Sequence, residues 1–88
     1  MNELRLNLHD DGDLVLPVEL LKADLCAGEL VSLVGFFAFQ EGHYDFANKL
    51  FLLDESGTAA RGLRDRGILQ VVQDGNKVTI TVDLRKLP

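Results

Sequence analysis

The 88-residue chain is poor in the residues that staple small proteins: it has one cysteine, two prolines, one tyrosine and no tryptophan. A lone Cys26 cannot close an intramolecular disulfide, and no Cys/His cluster has the spacing of a structural metal site. Apolar packing must therefore hold the fold. Long hydrophobic runs are absent too. The longest, Leu30 to Phe39, is half a membrane span and is interrupted by Ser32 and Gly35. Met1 to Asp13 carries neither a basic start nor an apolar signal core, so a soluble cytoplasmic protein with no membrane partner is expected. Positive charge is also scarce, with 9 Lys plus Arg against 14 Asp plus Glu, a net charge of -5. Such an average argues against polyanion binding. What the chain does have is a 47% hydrophobic content, enough for one ordered domain over residues 1–88.

The charge is unevenly placed. Residues 1–55 hold three basic and eleven acidic side chains, a balance of -8, whereas residues 56–88 hold six and three, a balance of +3. Asymmetry of this kind points to a polyanion-binding end on an acidic body.

Leu4, Leu6 and Leu8 alternate with polar residues as in a strand with one buried face, and Leu14-Val15-Leu16 supplies the return strand. An N-terminal hairpin over residues 1–16 is expected. Pro17 suits the first turn of a short helix through Val18 to Lys22. Glu29 to Gln40 reads as a longer helix stopped by Gly42. It is apolar nearly all round: Leu30, Val34, Phe37 and Ala38 share one face, and Glu29, Ser32, Phe36 and Gln40 the other. Phe36 and its neighbour Phe39 then need cover, either from the N-terminal hairpin or from a dimer contact. Asp45 is placed to cap a helix over Phe46 to Leu53, and Ser56 to cap a second over Gly57 to Arg66, which Gly67 ends. The stretches Ile68 to Gln73 and Lys77 to Leu84, joined through Asp74-Gly75-Asn76, read as a hairpin.

This order of elements resembles a winged helix-turn-helix domain of the small bacterial or phage regulator type. The residues carrying the likeness are Phe46 to Leu69, above all Ser56 to Leu69, where Leu63 stands four residues before Gly67, the glycine that opens the wing. With the helix Glu29 to Gln40 the likeness covers about two thirds of the chain. It implies an α+β fold: a three-helix core with a C-terminal β-hairpin wing in residues 17–88, preceded by the N-terminal hairpin. It also implies a transcriptional regulator or accessory factor that reads duplex DNA with the 57–66 helix and the 68–84 wing. The turn departs from the family pattern, with Asp54-Glu55 where a glycine is usual. Carboxylates there would repel phosphate.

The residues themselves agree with that implication. With Ala59 and Leu63 as the buried stripe, the opposite face of the 57–66 helix carries Thr58, Arg61 and Asp65, flanked by Gly57 and Arg64. Arg61 is placed for a guanine contact, Arg64 flanks it, and Thr58 with the amides near Gly57 suits a phosphate. Asn76 and Lys77 at the wing tip suit the DNA backbone or minor groove. Gly62 makes sense beside a close neighbour, whether the preceding helix or a DNA strand. The alternative is a winged helix without DNA binding that docks a protein partner on its acidic surface. A homodimer through Phe36 and Phe39 is compatible with either.

Nothing else in the chain suggests chemistry. His9-Asp10-Asp11-Gly12-Asp13 lacks the loop length and terminal glutamate of a calcium hand and reads as a polar turn. Cys26 reads as a buried thiol without a catalytic partner. His43 and Tyr44 lack a paired nucleophile, and no phosphate loop or nucleophile elbow is present. No enzyme activity, metal or cofactor is expected. A shorter likeness exists: Leu14 to Leu21 followed by Gly28 to Val31 is similar to swapped-hairpin AbrB-type DNA-binding domains. It would make Leu30 to Phe39 a strand.

Overall fold

Alternating leucines lay down the first hairpin. In the computed structural model, which describes residues 3–9, 12–54 and 56–88, β1 (Glu3–Asn7) pairs antiparallel with β2 (Asp13–Pro17), Leu4 opposite Leu16 and Leu6 opposite Leu14. All four leucines share the face turned to the core, because strand side chains alternate. Pro17 ends β2 opposite Glu3 rather than opening the next helix, and α1 (Glu19–Lys22) follows as a single turn. The polar turn expected at residues 9–13 falls partly outside the described residues, since Asp10 and Asp11 lie there.

The central element is α2 (Ala27–Gln40). It is a helix throughout, which removes the strand implied by the swapped-hairpin likeness. It starts two residues earlier than expected, because Cys26 and Glu29 form a capping box in which the Cys26 amide donates to Glu29 Oε1 at 3.4 Å. Cys26 is exposed, not buried as expected. Helix α3 (Tyr44–Phe51) turns back along α2 after three residues, and α4 (Thr58–Asp65) crosses near the start of α2. The second hairpin joins β3 (Leu69–Asp74) to β4 (Lys77–Val82), with Val71 opposite Ile80 and Asp74 opposite Lys77. A short 3-10 turn, Leu84–Lys86, leads to Leu87, which packs on the core, and to Pro88, whose carbonyl accepts from the Asp24 amide at 3.2 Å. The described residues thus form an α+β fold of four helices and two antiparallel hairpins. None of their helices is long and apolar enough to cross a membrane.

A common core is built from Leu14, Leu16, Leu20, Leu33, Ala38, Ala47, Leu63, Ile68 and Leu69, and Leu4 and Leu6 of β1 with Ile80 and Val82 of β4 pack against it. Ser32, Leu33, Gly35 and Ala38 are the buried positions of α2, so the side bearing Ser32 and Phe36 is covered as well. Phe36 packs on Phe51 of α3 with ring centroids 4.9 Å apart. Phe36 is thus covered by α3, and a second subunit is not needed to hide it. Phe39 stays 43% exposed and meets Tyr44 edge-on at 5.1 Å.

Gly35 sets how closely α2 and α3 approach. A Cβ there would lie 2.7 Å from Phe51 Cε1 and 3.4 Å from Leu50 Cβ, so the helices meet where one of them has no side chain. Gly35→Val should therefore force the pair apart at a cost of about 1–3 kcal/mol. A lowered urea midpoint would show it. An unchanged midpoint would mean that the contact can relax freely.

Candidate nucleic-acid interface

The loop from Leu52 to Gly57 determines how α4 is presented. Helix α4 begins at Thr58, with Gly57 as its N-cap residue at φ +72°, a left-handed conformation that glycine adopts without steric penalty. Ser56, expected as the cap, instead shares a 2.6 Å hydrogen bond with the Thr58 hydroxyl. Asp54 does the capping. Its two carboxylate oxygens accept from the amides of Ala59 and Ala60, each at 3.1 Å, and its carbonyl accepts from Gly57 at 3.0 Å.

Two amides of the helix start, those of Ala59 and Ala60, thus already hold a carboxylate. The carboxylate of Asp54 is turned toward the positive end of the α4 dipole rather than displayed as a bare charge, which lessens its repulsion of an approaching polyanion. Glu55 lies outside the described residues. Helix α3 begins two residues before the expected Phe46: His43 is its N-cap residue, and Asp45, expected as the cap, falls inside its first turn.

The other end of α4 is pinned to α2. Arg66 Nη1 lies 2.7 Å from Glu29 Oε2, and a Cβ on Gly62 would lie 3.5 Å from the same oxygen, an ordinary contact. The close neighbour of Gly62 is therefore α2, not α3, the helix that directly precedes α4. Burial tends to raise the pKa of Glu29, but hydrogen bonds from the Cys26 thiol and amide and from Arg66, with the Arg66 charge, outweigh it and hold the pKa below its ordinary value. Beyond Arg66 the chain leaves the helix as expected at Gly67, with the Ile68 amide bonding back to the Leu63 carbonyl at 3.0 Å. Leu63 is fully buried, so the leucine four residues before the glycine is a packing residue.

With both ends held, α4 turns Thr58, Arg61 and Arg64 to solvent, while Gly57 is half-buried. Asn76 and Lys77 are exposed at the tip of the second hairpin, where Gly75 and Asn76 form the two-residue turn. The ion pairs divide the arginines. Arg5 pairs with Asp13, Arg66 with Glu29 and Arg85 with Asp83. Among the described residues, Arg61 and Arg64 have no carboxylate partner; in particular Asp65, one turn beyond Arg61, does not pair with it. Sequence reasoning did not find the part played by Asp54, although an aspartate five residues ahead of an Ala-Ala helix start was a usable sign.

A test of the α2–α4 latch follows from the direction of the Glu29 shift. A lowered folded-state pKa gives stability that is present above the unfolded-state pKa and is lost as pH falls through the folded-state value. Glu29→Gln should thus be less stable than the wild type at neutral pH, by about 1 kcal/mol or less for a pair with one partner in solvent. The difference should shrink below the ordinary glutamate pKa and vanish once pH falls below the lowered folded-state value. Urea midpoints at neutral and acid pH measure this, and a pH-independent gap would refute the ionic latch.

Comparison with family models, curated proteins and solved structures finds no match to this chain.

Proposed function

We propose that the protein binds duplex DNA as a winged helix-turn-helix domain, with α2, α3 and α4 as the three-helix core, α4 as the reading helix and the β3–β4 hairpin as the wing. In this reading it serves as a transcriptional regulator or accessory factor. One observation carries the proposal: the two arginines without a carboxylate partner among the described residues, Arg61 and Arg64, both lie on the exposed face of α4. Placing two guanidinium groups on the solvent face of an acidic protein without neutralising them suits an external anion, and guanidinium is the side chain that best matches guanine edges and phosphates. The order of elements supports the same reading. Lys77 and Asn76 add contacts at the wing tip, and Thr58 adds a hydroxyl at the start of α4.

A second reading, a protein-interaction module that does not bind DNA, is favoured by a different feature. Leu52 and Leu53 are 73% and 70% exposed beside an apolar notch of about 160 Å³ lined by Ala27, Gly28, Val31, Leu53 and Asp54.

Salt-dependent binding separates the two. If Arg61, Arg64 and Lys77 each neutralise one phosphate, the logarithm of affinity for random-sequence duplex should fall with the logarithm of salt at a slope of about -2.7. Arg61→Ala and Lys77→Ala should each weaken binding and make that slope shallower by about 0.9. Fluorescence anisotropy across a salt series gives both quantities. No affinity at low salt would overturn the DNA reading and leave the interaction module.

A further inference from the structure

Sheet edges invite pairing unless something interrupts them, and three of the four strand edges described here carry charges or give a backbone group to another element. The outer edge of β1 carries the charges of Glu3 and Arg5. The outward groups of β2 are taken by the α2–α3 loop: the Val15 amide donates to Glu41 Oε1 at 3.2 Å, and His43 Nε2 lies 2.9 Å from the Asp13 carbonyl. On β4, the Ile80 carbonyl accepts from Gln40 Nε2 at 2.7 Å.

The edge of β3 has no such device. Its one charge, Asp74, stands at the turn end; Leu69 to Gln73 contains no charge and no proline, and Val71 and Val72 are 41% and 59% exposed. The two-residue turn makes Asp74 and Lys77 a hydrogen-bonded pair, and the Asp83 amide bonding to the Ile68 carbonyl at 2.7 Å fits the same alternation. Even-numbered residues of β3 therefore bond inward to β4, and Val71 and Gln73 point their amides and carbonyls outward. Among the described residues no hydrogen bond reaches these groups.

We propose that the outer edge of β3 is a homodimer surface, pairing antiparallel with β3 of a second copy about a two-fold axis at Val72. The register follows from the chemistry of the strand. A two-fold at Val72 sets Val71 opposite Gln73 of the second copy and Gln73 opposite its Val71, so the outward groups form two complete hydrogen-bonded pairs. Val72 meets Val72 of the second copy as a non-bonded pair, where side chains come closest and β-branched residues pack well. Gln70 faces Asp74 of the second copy, an amide donor against a carboxylate, and no like charges are opposed. The second copy is thus complementary in charge and hydrogen bonding from Gln70 to Asp74. Two isolated hairpins, each marginal alone, become one four-stranded sheet. The proposal stands independently of DNA binding.

Sedimentation of the full chain over a concentration series should show a reversible monomer–dimer equilibrium. Val72→Lys, which sets two ammonium groups against each other at the axis, should give a monomer that keeps the far-ultraviolet circular-dichroism spectrum of the wild type. In a Cys26→Ser background, Val72→Cys should oxidise to a covalent dimer, because non-bonded antiparallel pairs lie within disulfide reach. Thr79→Cys should not, because Thr79 and its symmetry mate sit on the two outer strands, about 14 Å apart at the usual strand spacing. A wild type that stays monomeric at high concentration, a Val72→Lys dimer as strong as wild type, or equal cross-linking through Thr79→Cys would each overturn the assignment.

Discussion

Helix α2 has almost no solvent face, and the rest of the fold is arranged to cover it. A 14-residue helix that is apolar nearly all round cannot rest on a single partner without leaving its other side in water. Here β2 lies against one side, α3 against another, and α4 with β4 against a third. Gly35 permits the approach of α3, with the Phe51 ring in the space a side chain would fill. The capping box at Cys26 and Glu29 fixes where the helix begins. Glu29 then serves twice, as part of that box and as the acceptor for Arg66 on α4.

The charges follow from the same geometry. Contacts between elements absorb Arg66 into the α2–α4 junction, and a local turn pairs Arg85 with Asp83. Asp54, which by its position alone would guard the approach to α4 with negative charge, is turned into the helix start and spends its oxygens on two amides. What faces outward on α4 is consequently more basic than the sequence around it. A net charge of -5 describes the protein as a whole and not the surface that α4 presents.

The two hairpins show how differently a strand edge can be treated within one small chain. The N-terminal hairpin is clamped by Glu41 and His43 from the loop that reverses the chain between α2 and α3, so that loop both makes the turn and closes an edge. The C-terminal hairpin is anchored only at its root, through Leu69, Ile80 and Val82, and runs out into solvent with Val71, Val72 and Val78 exposed. Anchoring at the root keeps the tip accessible to any ligand of α4, and it leaves the β3 edge open.

Periodicity and turn chemistry sufficed, within the sequence itself, for both hairpins, for the order of helices and for the role of Gly67, because alternation, glycine stops and two-residue turns are local properties. The exposed positions of Arg61, Arg64, Asn76 and Lys77 were legible for the same reason: each lies on the polar side of a locally readable element. Caps were read less well. Asp45 and Ser56 were the obvious candidates, yet His43 and Gly57 occupy the cap positions while Asp54 supplies the bonds to α4, since which carboxylate reaches an amide depends on how the chain turns before the helix. Local sequence was silent on which faces of α2 are covered, on Phe36 turning to Phe51, and on Arg66 leaving the basic set to join Glu29 across 37 residues. Those outcomes depend on which elements meet, and only the tertiary arrangement decides that.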